Sequence, residues 1–255
     1  MSEKSIAIVT VATNIYLEYW KDMVISLDRE IMPNKKIVSY VFTDQPELAK
    51  SYQSLLRKVI IFPIKIPPYG WPDATIRRYE IFSEFSSQIN EDVIIHLDAD
   101  MLVLSDIYQD FIEAAEKSPI ILVAHPGFWG LSPNLRQKVK KFFTQTQNAL
   151  GSWESRAISK AYVPVQDRRT YVCGGVWAGR REEFFRLTEQ LADQVNTDFS
   201  NSVMAVWHDE SHLNNWASKN DYLLLTPSFC FVVDYVHLSG LKPKILAVEK
   251  ENRTR

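Results

Sequence analysis

An unbroken apolar run that ends in two aspartates constrains the fold of this chain more than any other stretch. It consists of Val93, Ile94, Ile95, His96, Leu97, Asp98, Ala99, Asp100 and Met101. A β-branched run of this length is typical of a strand that is buried on both faces of a parallel sheet. Because ligands of such sheets gather at the carboxyl ends of the strands, the two aspartates are predicted to lie at a ligand-binding edge.

The spacing of Asp98 and Asp100 has two interpretations. If the extended backbone continues through Asp100, both side chains point to the same side, since side chains alternate along a strand. Two carboxylates suit Mg²⁺ or Mn²⁺ and leave coordination positions for water or for a substrate's phosphates. Alternatively, the two residues only cap the turn that follows the strand. The tripeptide alone leaves both interpretations open.

Strands and helices alternate through the first hundred residues. The predicted strands are 6–11, 37–42 and 59–62, and the predicted helices are 14–28 and 73–84, the second with Asp73 as its N-cap. This alternation predicts an α/β fold with a largely parallel, nucleotide-binding sheet, in which the ends of the first and third strands share one edge with Asp98. The sequence contains no glycine-rich phosphate loop, so a nucleotide would be held by a metal ion and side chains.

The pattern after Asp100 is less regular. The predicted helices are 106–117, a basic segment at 134–147 and 180–195, and the predicted strands are 120–124 and 171–177. Gly174 and Gly175 interrupt the last strand, and glycines there mark a bulge or the close approach of another group. Residues 148–169 show no period and are expected to form a long functional loop or lid.

Composition narrows the class of protein. With 255 residues, 46% of them hydrophobic, and a net charge of −2, the chain has the composition of a soluble globular protein and no electrostatic footprint for nucleic acid. Two cysteines, Cys173 and Cys230, are too few for a disulfide scaffold, so a reducing compartment is expected. No apolar run reaches transmembrane length, and we expect a cytoplasmic location.

A second polar cluster lies at residues 207–214, which read Trp-His-Asp-Glu-Ser-His-Leu-Asn. His208 and His212 lie four residues apart, as the two zinc-binding histidines of some hydrolases do. Alternatively, Glu210 is the working carboxylate, opposite a metal-bound leaving group in a sugar site. A third interpretation is that acidic residues in the first turn only stabilise the helix. All three remain open at this point.

Together these segments resemble glycosyltransferase family 6, which includes the histo-blood-group A and B transferases, the α1,3-galactosyltransferase and bacterial relatives. The similar segments span nearly the whole chain and are 40–46, 71–73 with Arg77 and Arg78, 98–100, 125–128, 161–164, 174–175 and 207–214. The resemblance implies a single GT-A catalytic domain at residues 1–248, followed by a flexible tail at 249–255. It also implies a retaining enzyme that moves galactose or N-acetylgalactosamine from UDP-Gal or UDP-GalNAc to the 3-hydroxyl of a β-galactoside-type acceptor, forming an α1,3 linkage.

The resemblance also implies roles for individual residues. The implied metal ligands for Mn²⁺ or Mg²⁺ are Asp98 and Asp100. The implied donor-binding residues are Tyr16, Arg78, Asp98, Gly174, Gly175, Lys250 and Arg253, and the implied acceptor-binding residues are His125 and Trp207. Glu210 is implied as the nucleophile or as the carboxylate that stabilises the sugar cation. In relatives the tail that holds the matches of Lys250 and Arg253 folds over the diphosphate, which closes the site against water.

Three residues bear on the choice of donor sugar. Small residues at the positions of Gly127 and Gly175 leave room for an acetamido group, which favours UDP-GalNAc over UDP-Gal. Cys173 replaces a residue that is larger in vertebrate members, which would loosen that selection.

Three differences from other members of the family carry further expectations. The chain has no membrane anchor or stem, which favours a bacterial or phage protein. It keeps both aspartates where many bacterial relatives have asparagines, which predicts a metal requirement. The segment 228–234 follows the vertebrate pattern poorly. Because this region helps to recognise the acceptor's second sugar in the family, that sugar is left undetermined. A catalytically inert UDP-sugar or glycan-binding protein is the main alternative.

Overall fold

The first hundred residues build most of a central sheet. The computed structural model describes residues 4–130 and 150–248. Its strands are β1 (Ile6–Val11), β2 (Ile37–Thr43), β3 (Val59–Lys65), β4 (Val93–Leu97), β5 (Met101–Val103), β6 (Ile120–Ala124), β7 (Val172–Arg180), β8 (Leu223–Leu225) and β9 (Ile245–Ala247). Its α-helices are α1 (Tyr16–Glu30), α2 (Pro46–Ser51), α3 (Asp73–Ile76), α4 (Arg78–Glu84), α5 (Tyr108–Lys117), α6 (Arg181–Ser200) and α7 (His208–Lys219). Short 3₁₀ turns lie at Tyr52–Leu55, Ser86–Gln88, Val165–Asp167, Pro227–Phe229 and Val236–Leu238.

The central sheet has seven strands in the order β3-β2-β1-β4-β7-β6-β8. The pairs β3/β2, β2/β1, β1/β4 and β6/β8 are parallel, whereas β7 runs antiparallel to both of its neighbours. Strands β5 and β9 form a separate antiparallel pair. The predicted α/β class and the mostly parallel sheet are confirmed. The carboxyl ends of β1 and β4 meet at one edge, as expected.

Each face of the sheet is covered by its own apolar cluster. One cluster joins the sheet to α1 and α5, with Trp20 and Phe111 fully buried. The other joins it to α4, α6 and α7, where Trp177 stacks on Phe184 with ring centroids 4.5 Å apart. Every residue of β4 is buried. Because both faces are covered, β4 can be apolar throughout, except for His96.

One sequence prediction was wrong in detail, and one question that the sequence left open is resolved. The helix expected at 73–84 consists of two short helices that meet at Arg77, and Pro72 rather than Asp73 is the N-cap residue of the first. The break at Arg77 precedes a residue whose side chain is buried, Arg78. Strand β4 ends at Leu97, so Asp98 and Asp100 lie in a turn and not on a continued strand.

The double glycine lies inside a strand with irregular pairing. Strand β7 runs through Gly174 and Gly175, but its register against β6 shifts, since Leu122 pairs with Trp177 and Ala124 pairs with Val172. The extra residues of β7 therefore bulge away from β6 at the glycines. As the sequence predicted, other side chains approach the backbone closely at this bulge.

Other expectations concern the second half of the chain. The basic segment 134–147 and the tail 249–255, with Lys250 and Arg253, lie outside the described residues. The part of the long loop that is described, from residue 150, is irregular apart from the turn Val165–Asp167. The loop is tied down by Glu154, which accepts hydrogen bonds from Arg156 and from the main chain of Val206. Within the described ranges, no helix combines the length and apolar character needed to span a membrane.

Candidate active site

The edge formed by the ends of β1 and β4 opens into a cleft of about 590 Å³, called here the central cleft. It is lined by Trp71, Thr75, Arg78, Asp98, His125, Gly127, Phe128, Ser152, Gly174, Gly175, Trp207, His208, Asp209, Glu210 and Tyr235. A smaller adjoining recess, called the side recess, is lined by Val11, Thr13, Tyr16, Trp71, Ala74, Thr75, Arg78, Asp98, Ala99 and Asp100. The fold thus brings residues as far apart in the sequence as Trp71 and Tyr235 to one cleft.

Asp98 and Asp100 both line the side recess, as does Tyr16. The turn that carries them is held by main-chain hydrogen bonds from Asp98 to the Gly175 carbonyl and from Val248 to the Asp100 carbonyl, both 2.9 Å long. Their oxygen atoms fit the preference of Mg²⁺ or Mn²⁺, and two protein carboxylates leave positions for phosphate oxygens. In the part of the chain that the structure describes, no third His, Cys, Asp or Glu joins them to form a metal-binding group.

Arg78 is buried and lines both the central cleft and the side recess. Its Nη1 lies 2.9 Å from Oδ1 of Asp98, and its Nε lies 3.4 Å from Oδ2 of Asp209. Nε also donates to the Thr75 carbonyl at 3.1 Å. Burial would disfavour the guanidinium, but the two carboxylates keep its pKa above the ordinary value. Arg78 therefore stays charged and bridges the Asp98 turn to the first turn of α7.

Glu210 is held by the glycine bulge of β7. The main-chain nitrogen of Gly174 donates to Oε2 of Glu210 at 2.8 Å, and Tyr171, close to this carboxylate, helps to lower its pKa. A Cβ at position 174 would lie 3.1 Å from Cβ of Glu210, so a side chain there would press on α7. The absence of a side chain at Gly174 allows this close approach.

The two acidic residues at the start of α7 have raised pKa values. Burial raises the pKa of Asp209 to about 6, although Arg78 opposes the shift. Burial also raises the pKa of Glu210 to about 7, against the effect of the Gly174 hydrogen bond. His208, just before them, has φ 47°, a left-handed conformation that is uncommon outside glycine. Two carboxylates with shifted pKa values in one cleft are typical of a catalytic site.

His125 and Trp207 line the central cleft and do not line the side recess. The main-chain nitrogen of Gly127 donates to Nδ1 of His125 at 3.0 Å, so the ring proton resides on Nε2. Burial lowers the pKa of His125 to about 4, which keeps the ring neutral near pH 7. Trp207 is 51% exposed and presents an apolar face at the rim. A neutral N–H donor beside exposed aromatic rings suits a sugar hydroxyl and a sugar ring.

The residues expected to select the donor differ in their surroundings. A Cβ at Gly175 would lie 2.9 Å from Oδ2 of Asp98 and 2.8 Å from Cε of Met101, so packing alone requires glycine there. A Cβ at Gly127 would approach only the His125 ring, at 3.1 Å, and Tyr235. Cys173 is buried, and its thiol donates to the Val176 carbonyl at 3.8 Å. An influence of Cys173 on the donor would therefore be indirect.

The two histidines of α7 have separate environments. His208 packs edge-on against Trp71 with ring centroids 5.3 Å apart. His212 is buried, with Nε2 3.6 Å from Asp198 and Nδ1 3.4 Å from Gln194. The side chains around the pair do not supply three ligands, and none of the described residues forms such a group. The geometry therefore gives no support to the zinc-hydrolase interpretation.

Several residues of the site were not singled out from the sequence. Trp71 and Tyr235 line the cleft, Tyr171 contacts Glu210, and Asn214 binds the main chain of β7. His96 contacts Arg78 from inside the sheet. Trp71 and Asn214 lie in segments that the sequence had marked without giving them a role, and His96 is the one polar residue in an apolar strand next to Asp98. The other contacts depend on the three-dimensional fold.

Comparison with known proteins agrees with this geometry. A family model described as "Glycosyltransferase family 6" matches residues 1–254. The rat protein "Histo-blood group ABO system transferase 1" is 27% identical over 220 residues, which are 85% of this chain and 57% of the relative. The chicken "Globoside alpha-1,3-N-acetylgalactosaminyltransferase 1" is 22% identical over 230 residues, 88% of this chain and 61% of the relative.

A bacterial relative matches over more of its length. The Escherichia coli "O-antigen biosynthesis glycosyltransferase WbnI" is 23% identical over 246 residues, covering 96% of this chain and 94% of the relative. By contrast, the matches to the rat and chicken proteins span less than two thirds of those proteins. The chain thus spans nearly the whole length of the bacterial relative and about three fifths of the rat and chicken proteins.

Proposed function

Since the chain belongs to glycosyltransferase family 6, we propose that it is a retaining hexosyltransferase that moves GalNAc or Gal from UDP to the 3-hydroxyl of a β-galactoside-type acceptor. The mostly parallel seven-stranded sheet flanked by helices confirms the expected GT-A fold. One observation carries the proposal. Asp98, Arg78, Glu210 and His125 line a single cleft although they come from four separate segments.

The donor is proposed to occupy the side recess and the adjacent part of the central cleft. Tyr16 would contact the uridine, and Asp98 and Asp100 would hold Mn²⁺ or Mg²⁺ together with the diphosphate. When bound, that cation would offset the charge that develops on UDP as its bond to the sugar breaks. Gly174 and Gly175 would pass beside the sugar. Lys250 and Arg253 are proposed to contact the diphosphate from the tail.

The acceptor is proposed to enter from the side of His125 and Trp207. The Nε2–H of His125 would donate to an acceptor hydroxyl, and the indole of Trp207 would pack against the galactoside ring. Glu210 lines the same central cleft as His125 and Asp98. Retention requires Glu210 either to form a bond with the anomeric carbon or to stabilise the sugar cation during attack on the same face. Its main-chain hydrogen bond from Gly174 holds the carboxylate in place for either route.

The donor is proposed to be UDP-GalNAc, with UDP-Gal as a second substrate. The argument depends mainly on Gly127, because packing against Asp98 and Met101 already requires glycine at position 175. A single acetamido group changes specificity by only a few kcal/mol, so activity with both donors is compatible with this site. The bacterial O-antigen relative supports a cell-surface glycan as the class of acceptor. A cytoplasmic location and a bacterial or phage source stay predictions.

A donor screen tests the proposal. Purified protein with Mn²⁺ is given UDP-GalNAc, UDP-Gal, UDP-Glc or UDP-GlcNAc, and UDP release is followed with and without lactose or fucosylated lactose. We expect release from UDP-GalNAc that lactose increases and EDTA abolishes, and linkage analysis should give an α1,3 product. A protein that binds UDP but releases none from any donor, with Glu210→Gln unchanged, would instead be an inert binding protein.

A further inference from the structure

A fully buried histidine lies in the middle of the apolar strand β4. His96 is 1% exposed and packs against the rings of Phe82 and Trp177, with centroids 5.4 Å away in each case. Burial of an imidazole is unfavourable unless its nitrogens form hydrogen bonds. Both nitrogens of His96 have partners, and the partners differ in kind.

The partners determine which nitrogen of His96 carries the proton. Nδ1 lies 3.1 Å from the carbonyl oxygen of Val9, which can only accept, so Nδ1 is protonated. Nε2 lies 2.7 Å from Nη1 of Arg78, which can only donate. The neutral ring therefore links two groups: it donates to the β1 main chain through Nδ1 and accepts from the Arg78 guanidinium at Nε2.

The same Arg78 nitrogen also contacts Asp98. Nη1 lies 2.9 Å from Oδ1 of Asp98, while Nε2 of His96 lies 3.3 Å from that oxygen. In this tautomer no proton lies between Nε2 of His96 and Oδ1 of Asp98, so their lone pairs would repel each other. Nη1 of Arg78 donates to both atoms and offsets this repulsion. The positions of His96, Arg78 and Asp98 are thus mutually dependent.

Arg78 also lies between two carboxylates that could compete for it. Its Nε faces Asp209 at 3.4 Å, and its Nη1 faces Asp98. A guanidinium can rotate to exchange such partners, and the flexible arginine side chain allows many orientations. Nη1 donates to Nε2 of His96 at 2.7 Å and to the Gly174 carbonyl at 3.3 Å, and these two acceptors hold it on the Asp98 side.

We propose that His96 is a positioning residue, which holds Arg78 so that the Asp98 carboxylate is oriented for the donor's diphosphate. This inference rests on the proposed function and extends it to a residue behind the site. His96 does not touch the cleft, and it acts only through Arg78. The competing explanation is that His96 merely fills the core of the sheet.

Three substitutions separate positioning from core filling. In His96→Gln the side-chain oxygen reaches the place of Nε2 and can accept from Arg78. In His96→Asn the amide reaches only the place of Nδ1, and in His96→Leu neither hydrogen bond is possible. Phe184→Leu serves as the matched control, because it removes core packing on the same face of the sheet without a polar contact to Arg78.

The measurements are the dissociation constant of UDP by calorimetry with Mn²⁺ present, the KM values for donor and acceptor, and the thermal midpoint. We expect His96→Leu and His96→Asn to weaken UDP binding and raise the donor KM by about tenfold or more, the effect of losing a hydrogen bond to a charged group. The acceptor KM should change less than about twofold, and His96→Gln should stay within about threefold of the wild type. Phe184→Leu should lower the thermal midpoint and leave UDP affinity unchanged.

The outcomes distinguish this inference from the proposed function. Wild-type protein that fails to bind UDP would overturn the proposed function and this inference together. If wild type binds UDP and His96→Leu binds it equally well, only the positioning role is overturned. A His96→Gln variant as impaired as His96→Asn would also overturn it. If His96→Leu does not fold, the comparison of the glutamine and asparagine variants decides.

Discussion

The main-chain nitrogen of Gly174 lies 2.8 Å from Oε2 of Glu210, so strand β7 holds the carboxylate that the proposed reaction requires. Asn214 strengthens this arrangement from the next turn of α7. Its Oδ1 accepts from the Val172 nitrogen and its Nδ2 donates to the Val172 carbonyl, both at 2.9 Å. A side-chain amide thus pairs with β7 much as a neighbouring strand would, which fixes the helix that carries Glu210.

Replacement of this carboxylate should remove catalysis and preserve donor binding. We expect Glu210→Gln to lower kcat by about a hundredfold or more, because stabilisation of a developing positive charge would be lost. UDP affinity should change less than about threefold, since the residue is proposed to act on the sugar. Glu189→Gln, at an exposed position of α6, is the matched control and should keep wild-type activity. More than half of the wild-type kcat in Glu210→Gln would contradict the assignment.

The buried Glu210 carboxylate should also make stability depend on pH. Burial raises its pKa to about 7 from an ordinary value of 4.5, so its stabilising contribution is complete below pH 4.5 and is lost as the pH rises through 7. Glutamine does not ionise. Glu210→Gln should therefore exceed the wild type in free energy of unfolding at pH 8, by about 1–3 kcal/mol, and by much less at pH 5. Urea unfolding at the two pH values measures this, and a difference that does not change with pH would contradict it.

Loss of one carboxylate from the Asp98 turn should abolish the proposed metal-dependent activity. Asp98→Asn removes both a proposed cation ligand and the ion pair with Arg78. We expect activity to fall by about a hundredfold or more, and EDTA to inactivate the wild type until Mn²⁺ is restored. Asp110→Asn, which breaks the remote pair with Lys244, is the control and should retain activity and metal response. Undiminished activity in EDTA would refute the metal requirement.

Added methyl groups at two glycines should affect different substrates. In Gly175→Ala the new Cβ would lie 2.9 Å from Oδ2 of Asp98, so the donor KM should rise by about tenfold or more. In Gly127→Ala it would lie 3.1 Å from the His125 ring, so the acceptor KM should rise instead, and UDP-GalNAc should lose more activity than UDP-Gal. Each variant is the control for the other. Equal effects of both variants on both KM values would contradict these assignments.

Much of this site could be predicted from local sequence. The apolar run before Asp98 predicted a buried strand, which β4 confirms, and a recess lies at the end of that strand. The alternation of strands and helices predicted the parallel half of the sheet. The glycines at 174 and 175 marked a point of close approach, which the structure places beside Asp98 and Glu210. These features could be predicted because hydrophobic periodicity and the backbone freedom of glycine depend only on residues that are close together in the sequence.

The sequence by itself determined the order of elements, the place of the acidic turn and the resemblance to a family. Tertiary structure alone decided that Arg78 lies between Asp98 and Asp209, and that His96 faces Arg78. It also decided which carboxylates are desolvated, and thus that the pKa of Glu210 rises to about 7. The physical reason is that hydrogen bonds and desolvation depend on distances between segments far apart in the chain, and those distances exist only after the sheet and its helices have packed.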